Sequence, residues 1–251
     1  MVEETEAKSK TIEFTAPTYI TRAETRKDSV RFELKAPDEL NAAGHVTAIL
    51  MELEERFGKN PPATARQDVQ DTSKIIVEYT PRGGDSFQDT EPLSKALSGA
   101  GIPNGEAMQV TYAMNALNQL NPDEKVRTME FFPPAYLTKA TIQGGKISFE
   151  TRSKNEAQAT GELGLVQIEA RKFFGSENPV TAREEGKDGA GIVVYDSKGR
   201  NSIGDTDGLI EAFRKANIAN ASEAQIGAAM SALLKLEKPE LAVVGSARSV
   251  A

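Results

Sequence analysis

Thr11-Ile12-Glu13-Phe14-Thr15-Ala16-Pro17-Thr18-Tyr19-Ile20-Thr21-Arg22-Ala23 returns later in the chain as Thr128-Met129-Glu130-Phe131-Phe132-Pro133-Pro134-Ala135-Tyr136-Leu137-Thr138-Lys139-Ala140, an offset of 117 residues. Working outward, the same offset aligns Phe32-Glu33 with Phe149-Glu150, Gly44 with Gly161, and Phe57-Gly58 with Phe174-Gly175. Pro62, Thr64, Ala65 and Arg66 meet Pro179, Thr181, Ala182 and Arg183. A one-residue deletion near Asp71/Asp188 changes the offset to 116. Beyond it Ile76-Val77 and Tyr79 meet Ile192-Val193 and Tyr195, and Ala113-Met114 meets Ala229-Met230. A solenoid repeats every 20–50 residues, so a repeat this long reads as a whole domain written twice. The expected organisation is two units, residues 11–127 and 128–244, between tails at 1–10 and 245–251, forming a pseudo-two-fold covalent dimer.

The two copies give two readings of one fold. Ile12 and Phe14, and then Val30, Phe32 and Leu34, alternate with polar residues at the strand period of two. Gly144-Gly145 supplies turn chemistry between the corresponding segments of the second copy. Each unit is therefore expected to open with a hairpin, its first arm extended by Tyr19 to Ala23. Leu40, Ala43, Val46, Leu50, Leu53 and Phe57 recur at helical spacing, as do Leu163, Val166, Ala170 and Phe173. Gly58 and Gly175 stand where such a helix would end. A polar loop holding Thr64 to Arg66 then leads to a buried strand at Ile75 to Tyr79. Asp89-Thr90 and Asp205-Thr206 suit helix N-caps, and a last helix carries Val110, Ala113 and Met114. The unit reads β-β-α-β-α-α, an α+β domain with helices on one side of its sheet.

Composition narrows the chemistry. There is no cysteine, so disulfides, thiol nucleophiles and thiolate metal sites are excluded. With 30 basic and 37 acidic residues the net charge is −7, which disfavours nucleic acid as a partner. No apolar run approaches the length of a membrane span, and the acidic start is unlike a secretory leader, so a cytoplasmic protein away from membranes is expected. His45 is the one histidine, too few for a zinc site or a Ser-His-Asp system. It is read as a structural, partly exposed residue. No phosphate-binding glycine loop is present. Neither a cofactor nor a metal is expected.

Polar and aromatic matches between the copies supply the candidate binding residues. The Thr64/Arg66 and Thr181/Arg183 pairs would present two guanidinium forks from loops. Tyr19, Tyr136, Phe132 and Pro133 belong to a proline-aromatic segment suited to the junction between the units or to a partner. Glu13 and Glu33 could face each other across the opening hairpin, as a carboxylate-based site at the repeat interface would require. The matched positions are mostly apolar, glycine, proline and capping residues, a retained scaffold without a retained reactive centre. The leading expectation is a non-enzymatic interaction or assembly protein that binds a protein partner or self-assembles. The alternatives are a ligand or nucleic-acid binder using the cleft between the units, and a carboxylate enzyme.

Overall fold

Alternating apolar and polar residues build a hairpin near the start of each half of the chain. Ile20, Ala23 and Thr25 face inward from β2 (Tyr19–Arg26), and Val30, Phe32 and Leu34 face inward from β3 (Ser29–Lys35). Leu137, Ala140 and Ile142 do the same from β7 (Tyr136–Gln143), and Ile147 and Phe149 from β8 (Lys146–Arg152). Gly144 and Gly145 turn the second hairpin at φ 56° and 77°, a left-handed conformation that glycine adopts without strain. This computed structural model describes residues 9–26, 28–81, 86–105, 107–118, 126–131, 133–186, 188–198, 200 and 202–237.

Each hairpin leads into a long helix, α1 (Glu39–Phe57) and α4 (Glu156–Phe174). Both start on a side-chain cap: Asn41 N donates to Asp38 Oδ1 at 2.8 Å, and Gln158 N donates to Asn155 Oδ1 at 2.9 Å. Both end at a glycine of positive φ, Gly58 and Gly175. There follow β4 (Ala63–Gln67) and β5 (Lys74–Tyr79) in the first half, and β9 (Val180–Glu184) and β10 (Ala190–Asp196) in the second. Helices α2 (Ser86–Gly99) and α3 (Ala107–Asn118) close the first half, α5 (Thr206–Lys215) and α6 (Glu223–Glu237) the second. Two short strands remain, β1 (Ser9–Glu13) and β6 (Val126–Glu130). The fold is mixed α+β, with two five-stranded antiparallel sheets and, among the described residues, six α-helices.

The sheet orders are β4-β5-β3-β2-β6 and β9-β10-β8-β7-β1. The outer strand next to each hairpin thus comes from the other half. β1 pairs with β7, with Ile12 opposite Ala140, and β6 pairs with β2, with Met129 opposite Ala23. Ile12 and Phe14 pack on the core of the second half, Met129 and Phe131 on that of the first. Pro17 lies between β1 and β2, and Pro133-Pro134 between β6 and β7.

Several expectations need correction. The unit is not β-β-α-β-α-α: each half runs β-β-β-α-β-β-α-α. The opening hairpin joins β2 to β3, and the segment at Ile12 belongs to neither arm. Thr64 to Arg66 and Thr181 to Arg183 are not in loops but on the edge strands β4 and β9. There Ala63, Ala65 and Val180 face the core, while Thr64, Arg66, Thr181 and Arg183 are exposed. Glu13 does not face Glu33; it lies opposite Lys139, and Glu33 opposite Arg22 and Ile76. Asp89 lies within the first turn of α2 rather than capping it, and Asp205 makes no capping bond. The helix faces are also rotated. Ala42, Ile49 and Leu53 form the buried side of α1, and Leu40 is 82% exposed; in α4, Phe174 packs on the core and Phe173 stands out.

Candidate functional site

The two segments that carry the exchanged strands meet in a groove between the halves. Residues 14–18 link β1 to β2, and residues 131–135 link β6 to β7. Asn104 Oδ1 accepts from Ile20 N at 2.7 Å while its Nδ2 donates to Ile20 O at 2.8 Å. Asn220 does the same for Leu137, at 2.7 and 2.9 Å, and its Nδ2 also donates to Thr15 O at 2.9 Å. Each amide therefore fixes the start of β2 or β7 beside a bulge, between Ile20 and Arg22 in one and between Leu137 and Lys139 in the other. Asn220 also holds the linker from the opposite half.

The groove encloses about 450 Å³ and draws matched residues from both halves. Its apolar lining is Ala16, Pro17, Ala36 and Pro37 from one side and Pro133 and Pro134 from the other. Tyr19 and Tyr136 both border it. Burial, and then the neighbouring Tyr136, push the Tyr19 hydroxyl above the usual tyrosine range. Lys35, Arg152 and Lys154 form its cationic rim. Two of these cations have carboxylate partners at equivalent places. Lys35 Nζ is 3.3 Å from Asp71 Oδ2, and Arg152 Nη1 is 2.7 Å from Asp188 Oδ2. The Arg152 guanidinium lowers the Asp188 carboxyl below its ordinary value. Asp71 is lowered by the Ser73 hydroxyl and by Lys35. Ser153 lies at the groove wall, its hydroxyl donating to the buried Glu162 Oε2 at 2.6 Å.

Of the residues singled out from sequence, Tyr19, Tyr136 and Pro133 come together in this groove. Phe132 lies outside the described residues. Arg66 and Arg183 lie on different sheets, each on the edge farthest from the exchanged strand. Arg66 donates to Gln67 O at 3.4 Å, and Arg183 has no ion-pair partner among the described residues. Thr64 shares the β4 edge with Arg66, while Thr181 borders a separate recess with Arg171 and Asn178. On the helix-free face of each sheet, Glu130–Arg22–Glu33–Ile76–Arg66 and Glu13–Lys139–Glu150–Ile192–Arg183 form two rungs in the same register. The carboxylates alternate with cations there, with Lys139 Nζ 2.9 Å from Glu150 and Arg22 3.7 Å from Glu130. His45 binds Ala100 O through Nδ1 at 3.0 Å, tying α1 to the end of α2.

Asn104 and Asn220 were not singled out from sequence, although they match at the 116-residue offset. A second missed pair is Tyr79 with Asp89, 2.7 Å apart, matched by Tyr195 with Asp205 at 2.8 Å. Among the described residues no group of histidine and acidic side chains could hold a metal ion, and no helix is long and apolar enough to cross a membrane. The sequence matches no protein-family model and no curated protein.

Proposed function

We propose that the chain is a non-enzymatic interaction protein, a covalent pseudo-dimer of two diverged units, which binds a protein partner in the groove where the units meet. The duplication is supported by the equal strand orders, the matched bulges and the paired asparagine clamps, all at the offset of the sequence repeat. The observation that carries the function is the convergence of Tyr19 and Tyr136 on one proline-lined recess. Tyrosine and proline offer flat, stiff surface that loses little conformational freedom when covered. Such aromatic and proline walls suit an extended peptide segment. The alternation of Glu13, Glu33 and Glu130 with cations also favours binding over acid–base chemistry, because neutralised strand carboxylates are not a carboxylate pair sharing one cleft.

The test is native mass spectrometry of the tagged chain isolated from the cells that normally make it, beside a Tyr19→Ala/Tyr136→Ala variant. The wild type is expected to carry a second protein at defined stoichiometry, and the double variant to lose it. An Arg66→Ala/Arg183→Ala variant should keep it. A bare wild-type mass, or a partner retained by the tyrosine variant, would contradict the proposal.

A further inference from the structure

Helices α1 and α4 expose more apolar surface than a solvated face requires. On α1, Leu40 and Met51 are 82% and 68% exposed, on the side away from Ala42, Ile49 and Leu53. On α4, Ile168 is 52% exposed, away from Leu163, Val166 and Ala170. Residues 40, 44, 47, 51 and 55 follow one stripe along α1, stepping by four, three, four and four. Residues 157, 161, 164, 168 and 172 follow the same stripe along α4.

The two stripes complement each other. Leu40 and Thr47 on α1 correspond to the smaller Ala157 and Gly164 on α4. At the ends, Glu54 and Glu55 correspond to Arg171 and Lys172. Cations suit a helix C-terminus and acids do not, so Glu54 and Glu55 are unfavourable in their own helix. Both are exposed, and neither has an ion-pair partner among the described residues. Gly161 and Gly164 lie inside α4, where glycine disfavours the helix, yet nothing comes within 4 Å of the place a Cβ would occupy at either. The chain's own packing gives them no purpose; close approach by another molecule would. A recess of about 500 Å³ lies against Gly164, Ile168, Arg171 and Lys172.

We infer that α1 of one copy docks in parallel on α4 of a second copy. Met51 enters the recess beside Gly164, and Glu54 and Glu55 meet Arg171 and Lys172. In the same parallel register, pairing α1 with α1, or α4 with α4, would set like charges face to face. The contact is heterologous, so a pair of copies still has one free α1 face and one free α4 face, and association continues into a ring or filament. A pair of 19-residue helices, about 28 Å long, makes a small interface. Association therefore depends on concentration and, through the ion pairs, on salt. This surface is separate from the junction groove and does not rest on the partner proposed there.

Sedimentation velocity of the full chain tests the inference. The wild type is expected to form larger species as concentration rises at low salt, and to lose them at high salt. Met51→Glu and Ile168→Glu should each be monomeric. Their mixture should give a one-to-one dimer and nothing larger, because it retains one working α1 face and one working α4 face. Gly164→Ala should raise the melting temperature while weakening association about tenfold. The Tyr19→Ala/Tyr136→Ala variant should associate as the wild type does. A wild type that stays monomeric, a variant mixture that stays monomeric, or unchanged association of Gly164→Ala would each overturn the inference.

Discussion

At the scale of single residues, positions that match between the two halves stand in different surroundings. His45 in α1 is matched by Glu162 in α4. His45 reaches a backbone carbonyl at the end of α2, whereas Glu162 is buried and takes hydrogen bonds from Ser153 and Gln158. Burial raises the Glu162 pKa, against the lowering effect of its two hydrogen bonds. A carboxyl with a raised pKa in the folded state favours folding while protonated, and that contribution is lost as pH rises through the raised value. Glu162→Gln removes the titration. The difference in melting temperature between the variant and the wild type should therefore shift in the variant's favour from about pH 4 to pH 7. A difference independent of pH would contradict burial as the dominant cause. The sequence reads His45 as partly exposed, and its ring is half-buried. The asparagine clamps were not legible from sequence, because an asparagine in a turn has many local uses and only the fold brings it to the bulge of a distant strand.

At the scale of elements, the long helices and central strands were legible because their periods are carried by large apolar residues. Ile75 to Tyr79 and Ile192 to Tyr195 are examples. Strand β4 was missed because its inward residues are Ala63 and Ala65, too small to mark a period. The phase of α1 was misread because Leu40 and Leu50 are apolar residues on its outer side. The destination of β1 was hidden for another reason. Ile12 and Phe14 match Met129 and Phe131 in the repeat, so the apolar pattern alone does not assign either strand to a core. Exchange makes a specific prediction here. Phe14→Ala should cost about 2 kcal/mol, since its ring is only partly buried. Hydrogen exchange should show the loss of protection in residues 136–233 and not in residues 20–114, because Phe14 packs on the former. Loss confined to residues 20–114 would place the strand on the wrong core.

At the scale of the whole molecule, the exchanged strands make two cores into one body. Each half lends an edge strand to the other, so neither sheet is complete without both halves. The groove that gathers Tyr19 and Tyr136 is lined by residues of both linkers, Ala16 and Pro17 from one and Pro133 and Pro134 from the other. The offset in the sequence pointed to a junction as the place of interest. The sequence did not locate that junction relative to Arg66 and Arg183, whose strands lie at the far edges. Strand exchange can be read by disulfide trapping, on a chain that has no cysteine of its own. Thr11 lies opposite Thr141 in the exchanged arrangement. Without exchange it would lie opposite Glu24, the residue that Thr128 faces here. Oxidation should cross-link Thr11→Cys/Thr141→Cys within a monomer and leave Thr11→Cys/Glu24→Cys reduced; the opposite result would contradict the exchange.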